Sequence, residues 1–288
     1  MKLNEVPYVR VLPQPTQGLL LKYILKKIFG IKVSFAEKEA NVILRVLAKS
    51  KGSVTEINPD EIKLNIPVAG MNVSVAARRY PSSDLGILFQ VLGKNEYQPV
   101  IDLLRKKVNS NAEIRIVDAG ANVGYASLFF KASFPNAKIL SIEVDTSNFL
   151  QIQRNFDLNN FTSLIPIKKA LWKRQANLEI KRDFRDQTEC SYYVEEVDLN
   201  TGLEGNSLDD FLKDQEWDFI DILKIDIEGS ERYLFESNEL ADRLLSKTKL
   251  LAIEIHDEFN IRSSINKHLI RNDFQYFEHG DLTIAHRS

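Results

Sequence analysis

Apolar and polar positions along the chain follow two regimes. In residues 36–49, Ala40, Ile43, Leu44 and Leu47 recur at helical spacing on one face, and Lys51-Gly52-Ser53 stops the run. An earlier helical segment, residues 19–29, ends at Gly30, which suits the position after a helix. Ile62-Lys63-Leu64-Asn65-Ile66 and Val73-Ser74-Val75 alternate with period two on either side of residues 67–72, predicting a β-hairpin. Residues 1–17 hold three prolines and little periodicity, and read as an irregular lead-in. Residues 83–108 turn helical again, with interruptions near Gly93 and Pro99.

From Ile114 onward, short apolar runs alternate with helical patterns. Strands are predicted at 114–117, 138–142, 163–168, 219–225 and 250–255, and helices at 123–132, 147–155, 207–213 and 231–246. This alternation implies βαβ units and a mostly parallel sheet, an α/β fold of Rossmann-like class. Residues 274–277 and 282–285 flank His279-Gly280-Asp281 without a helix, so the sheet is expected to close with an antiparallel hairpin. The predicted organisation is an N-terminal helix-and-hairpin region, 1–109, expected to cap the acceptor side, followed by an α/β domain, 110–288.

Composition narrows the function classes. The chain has 288 residues, 44% hydrophobic and 27% charged, values typical of a folded globular protein. A net charge of −2 argues against a dedicated nucleic-acid binder. The single cysteine, Cys190, excludes an intrachain disulfide framework and a structural Cys₄ or Cys₂His₂ zinc site, which fits a reducing, cytoplasmic setting. No stretch reaches the roughly 18 apolar residues of a membrane span. The segment 19–29 carries Lys22, Lys26 and Lys27. Its Leu/Ile/Phe face is expected to pack on the domain behind it. The other reading is a basic amphipathic helix lying on an anionic membrane.

The run Ile116-Val117-Asp118-Ala119-Gly120-Ala121-Asn122-Val123-Gly124-Tyr125 takes an apolar strand through a tight turn into a helix. Glu143 follows Gly124 by 19 residues at the end of the next strand, where an acid can bind the ribose hydroxyls of a nucleotide-like cofactor. In the dinucleotide fingerprint a second glycine clears space for a pyrophosphate; Asn122 stands there instead, and Asp118 brings negative charge. Electrostatics therefore favour a sulfonium cofactor, S-adenosylmethionine (SAM), over a nicotinamide dinucleotide.

These residues resemble the FkbM-type SAM-dependent methyltransferases. The resemblance rests on Asp118 to Tyr125, Glu143-Val144-Asp145 with Asn148-Phe149, the run Lys224-Ile225-Asp226-Ile227-Glu228-Gly229-Ser230-Glu231, and Glu254-Ile255-His256. Ser83-Asp84 and Glu96-Tyr97 also match the family's upstream segment, so the likeness covers roughly residues 80–288. Val144 departs from the proline common in the family. The resemblance implies a class I methyltransferase sheet and O-methylation of a hydroxyl on a small molecule or glycan. It also implies SAM contacts from Asp118, Gly120, Asn122, Gly124, Glu143, Val144, Ala170, Leu171 and Asp226. A non-catalytic SAM-binding or partner-binding module and a nicotinamide-dependent oxidoreductase are the alternatives.

A neutral alcohol is a poor nucleophile, so a base is expected at the strand ends. His256, Asp226, Glu254 and Lys224 are the candidates, with Glu228 beside them. His256 is preferred because histidine titrates near neutrality, its alternative being to hold a loop by hydrogen bonds. Asp226 and Glu254 are also candidate oxygen ligands for Mg²⁺, which nothing else in the chain supports. Lys224 alternates with Asp226 on one strand face, as a catalytic group or a buried ion pair. Arg78-Arg79-Tyr80 and Lys168-Lys169 read as solvated surface charge, and Trp172 and Tyr192-Tyr193 as core or as stacking residues. The acceptor and the oligomeric state are not encoded in any motif.

Overall fold

In a computed structural model, residues 5–108, 112–181 and 193–287 are described. The chain divides into two compact units, Met1–Tyr97 with Asp157–Asn160, and Gln98–Phe156 with Phe161–Ser288.

The first unit opens with α1 (Val6–Val9) and α2 (Gln14–Ile28). The expected irregular lead-in is therefore helical. Its prolines sit in the first turn of each helix or just before it, where a missing N–H costs nothing. The helix α3 (Phe35–Ser50) starts on a capping box in which Ser34 accepts the Glu37 amide, and it buries Ala40, Ile43, Leu44 and Leu47 as the pattern predicts. Strands β1 (Ser53–Ile57), β2 (Glu61–Val68) and β3 (Met71–Arg78) form an antiparallel sheet. The predicted hairpin is β2–β3, turning at Ala69 and Gly70, both with positive φ. β1 escaped the sequence reading because most of its side chains are exposed and no apolar alternation marks it. The short helix α4 (Asp84–Leu88) runs into a π-helical turn, Phe89–Gly93.

The packing expected of α2 is met only in part: the helix packs on α3, with Tyr23 and Ile24 half-buried. Thr16 and Leu20 are its buried residues, whereas Leu21, Leu25 and Ile28 stand in solvent at 59%, 46% and 69% exposure.

The second unit begins with α5 (Gln98–Arg105) and continues as β4 (Arg115–Ala119), α6 (Tyr125–Ser133), β5 (Lys138–Ile142), α7 (Thr146–Asp157) and β6 (Leu164–Ile167). Four short strands follow, β7 (Ala170–Leu171), β8 (Ala176–Lys181), β9 (Tyr193–Glu196) and β10 (Glu204–Asn206). Then come α8 (Leu208–Asp214), β11 (Ile220–Ile225), α9 (Glu231–Leu234), α10 (Asn238–Ser246), β12 (Thr248–Glu254), α11 (Arg262–Arg271), β13 (Phe274–His279) and β14 (Leu282–Arg287).

The main sheet has the order β13-β14-β12-β11-β4-β5-β6. Strands β6, β5, β4, β11 and β12 are parallel, and β14 and β13 close the edge antiparallel, as predicted. Val117, Leu140, Leu223 and Leu251 from its central strands join one buried cluster with α8, α10 and α11. The chain order reverses between β4 and β11, and a ligand crevice is expected at the carboxyl ends of those strands. The separate sheet β7-β10-β8-β9 and α11 are absent from the sequence reading. The helix predicted over 231–246 is two helices, because Ser237 caps α10 by accepting the Leu240 amide.

Candidate active site

The crevice is set by how closely the loops after β4 and β11 approach. Gly120 has φ +74°, and a Cβ there would fall 1.7 Å from the Asp226 carbonyl oxygen, so glycine is required. The Asp226 amide closes the contact by donating to the Ala119 carbonyl at 3.0 Å. Gly124, with φ +86°, starts α6 and packs against Phe156 and Ile152.

The amides of this loop point inward. Gly120 and Ala121 both donate to the Ile142 carbonyl, Gly124 to the Ala121 carbonyl, and Asn122 to Glu143 Oε2 at 2.8 Å. A phosphate-binding loop keeps such N–H groups for its ligand; here they hold protein. The other oxygen of Glu143 accepts the Asp145 amide at 2.8 Å, which fixes the carboxylate at the end of β5.

Beside the loop lies a cleft of about 570 Å³. Of the expected cofactor residues, Gly120, Asn122, Glu143, Val144, Ala170, Leu171 and Asp226 line it. Asp118 and Gly124 do not. Sequence reasoning missed Ile142, Val194 and Ser230 on the wall, and Lys169, which it read as surface charge. Lys169 pairs with Glu204 at 2.8 Å. The wall combines an apolar patch with the carboxylates of Glu143, Asp226 and Glu228 against one lysine. That balance accepts a ligand with a net positive head and repels a pyrophosphate.

Asp118 is fully buried behind the loop, where it accepts Ser127 Oγ at 2.7 Å and pairs with Lys224 at 3.2 Å. Its charge is therefore matched by Lys224 within the protein. The Lys224 ammonium, 3% exposed, also donates to the Gly120 carbonyl at 2.6 Å and lies 3.6 Å from Asp226. Of the two readings of Lys224, the geometry is that of the buried ion pair.

Glu254, at the end of β12, and His256 line a second, more open cleft of about 820 Å³ with Asp257, Glu258, Glu278 and Asp281. The two clefts adjoin through His256, whose Nε2 is 3.4 Å from Glu228 Oε2 on the first wall. On its other side, Glu231 Oε1 lies 2.9 Å from both the His256 amide nitrogen and Nδ1. Burial works against a charged imidazole here, but the Glu228 carboxylate 3.4 Å away and the hydrogen bond to Glu231 outweigh it and push His256 up to about 10. These contacts are those of a histidine holding a loop, the alternative weighed for it. Glu231 was visible in the motif, but its partner was not.

Burial, then the neighbouring Asp226 charge, push Glu254 up to about 8. Asp226, Glu254 and His256 each offer a ligand atom within 4.8 Å of one another. Mg²⁺ takes oxygen ligands in a near-octahedral shell, and this set offers two carboxylates and an imidazole nitrogen, so the donor set does not suit it, and no step is routed through a metal.

The remaining candidates are structural. Arg78 and Arg79 are half-buried rather than fully solvated: they pair with the buried carboxylates of Asp84 and Glu39. Trp172 is buried against Tyr233, and Lys168 is exposed. Tyr193 lines the first cleft, while Tyr192 and Cys190 lie outside the described residues.

The profile of a family described as "Methyltransferase FkbM domain" matches residues 118–280, more than half of the chain. A curated relative, "Methyltransferase 1" of Beauveria bassiana (strain ARSEF 2860), is 27% identical over 136 residues, covering 40% of this chain and 55% of that protein. The chain thus spans about half the length of this relative. Among solved structures, the N-terminal domain of human METTL16 matches with TM-score 0.44 and 12% identity, over 88% of this chain and 82% of that one. The magnesium protoporphyrin IX methyltransferase of Synechocystis PCC 6803, with bound SAM, matches with TM-score 0.38 and 14% identity, over 68% of this chain and 79% of that one.

Proposed function

The chain belongs to the FkbM methyltransferase domain family, and from that membership we propose that it transfers a methyl group from SAM to a hydroxyl of a neutral or cationic small molecule or glycan. The observation that carries the cofactor reading is the loop after β4. The amides of Gly120, Ala121, Asn122 and Gly124 are all consumed by protein acceptors, and the cleft beside them carries three carboxylates. A cationic head fits there; a dinucleotide does not.

In this reading Glu143 holds the ribose hydroxyls, and Val144, Ala170 and Leu171 flank the adenine. Gly120, Asn122 and Asp226 hold the methionine portion. When bound, SAM supplies an electrophilic methyl group on a sulfonium sulfur. The chain's task is then to orient the acceptor and take its proton. Glu254 is the proposed base: it lines the second cleft, it sits within 4.8 Å of Asp226 on the first, and its raised affinity for a proton strengthens it once ionised. His256, charged and held by two glutamates, positions the wall between the clefts.

The second cleft supports the acceptor class. Five carboxyl groups line it against Arg262, which is already paired with Asp257 and Glu278. Carboxylates accept hydrogen bonds from hydroxyl and ammonium groups and repel phosphate.

The test is transfer of a labelled methyl group to a panel of neutral glycosides, amino sugars and sugar phosphates. Turnover on the first two, with the label on oxygen, is expected. Preference for the phosphorylated acceptors, or label on nitrogen, would overturn the acceptor reading.

A further inference from the structure

The first 50 residues hold nine lysines and arginines against three glutamates, a net charge of +6, while the other 238 residues carry −8. A near-neutral total therefore hides a basic N-terminal unit. Its charge surrounds an apolar surface. On α2, Leu21, Leu25 and Ile28 fall at i, i+4 and i+7 and form one exposed stripe. Phe29, Ile31 and Phe35 extend it past the helix end at 72%, 55% and 50% exposure. Lys22, Lys27 and Lys32 are exposed among these side chains, and no ion pair involves them among the described residues.

Monomeric proteins rarely leave a run of large apolar side chains like this uncovered. We propose that this surface docks on an anionic lipid bilayer, with the stripe at the level of the headgroups and Lys22, Lys27 and Lys32 on the lipid phosphates and carboxylates. Charge selects this occupant. A second copy of the chain would bring the same lysines against these ones, and like charges facing each other oppose such a contact. Nucleic acid would satisfy the lysines but leave the stripe in water. A bilayer of anionic lipid satisfies both at once. The helix has 15 residues, and among the described residues no helix is long and apolar enough to cross a membrane, so the contact lies in the plane of the interface.

The proposal is independent of the methyl-transfer reading. Its test is flotation of the full chain with vesicles of phosphatidylcholine alone and of phosphatidylcholine with phosphatidylserine, at low and high salt. Binding to the anionic vesicles, weakened by salt, is expected. Leu25→Asp with Ile28→Asp, and separately Lys22→Glu with Lys27→Glu, are expected to lower the partition coefficient about tenfold or more. All four side chains are exposed or nearly so, hence both variants should keep the wild-type circular dichroism spectrum and S-adenosylhomocysteine affinity. Equal binding by folded variants, no preference for anionic vesicles, or self-association by ultracentrifugation that Leu25→Asp abolishes would each overturn the proposal.

Discussion

A single oxygen of Glu231, Oε1, lies 2.9 Å from both the backbone amide and the imidazole Nδ1 of His256. The carboxylate fixes the chain direction after β12 and holds the imidazole charged in the same contact. Because the folded protein binds this proton more tightly than the unfolded chain, the stabilisation is complete below about pH 6.5 and is lost as pH rises through about 10. Thermal unfolding of wild type and His256→Asn, compared across this range, should show the wild-type advantage shrinking with rising pH. A constant difference would contradict the assignment.

Glu254 gives the opposite trend in activity. Its carboxyl is pushed up to about 8, so the ionised, proton-accepting form grows as pH rises through that value. The pH profile of kcat should climb through about 8. Glu254→Gln should lower kcat by about a hundredfold or more and leave S-adenosylhomocysteine affinity nearly unchanged.

Lys224 is a prediction about stability. Its ammonium is buried between Asp118 and Asp226 and anchors the Gly120 carbonyl. Lys224→Met leaves Asp118 as an uncompensated buried charge and should cost about 3 kcal/mol in urea unfolding. Adding Asp118→Asn should recover part of that loss, since the two changes share one interaction.

Gly120→Ala tests the close approach of the two loops. The new Cβ would meet a backbone oxygen, which no rotamer change relieves, at a positive φ. A loss of about 3 kcal/mol or more, together with loss of cofactor binding, is expected. Gly70→Ala, at a turn with open space around it, should cost much less.

The sheet and much of the lining of the first cleft are legible because they depend on local pattern. Strand-loop-helix periodicity located β4 and α6, and the 19-residue spacing placed Glu143 on the wall. Roles that depend on long-range partners were not legible. His256 and Glu254 both stand out in the sequence, yet the direction in which each proton affinity moves follows from Glu228, Glu231, Asp226 and burial, contacts that no spacing encodes. The strand position of Asp118 is visible in the sequence, and Lys224's hold on it is not. The sheet of β7 to β10 was missed because its strands are short and pair out of chain order. For α2 the apolar periodicity was plain, but whether that face packs or stands exposed is decided by neighbours.

The most direct test of the central claim is calorimetric titration of the wild-type chain with S-adenosylhomocysteine and with NAD. Saturable binding of S-adenosylhomocysteine at one site, weakened by Asp226→Asn, with no saturable heat from NAD, is expected from a loop whose Gly120, Ala121, Asn122 and Gly124 amides are consumed and a cleft walled by carboxylates. Saturable NAD binding with no response to S-adenosylhomocysteine would contradict it.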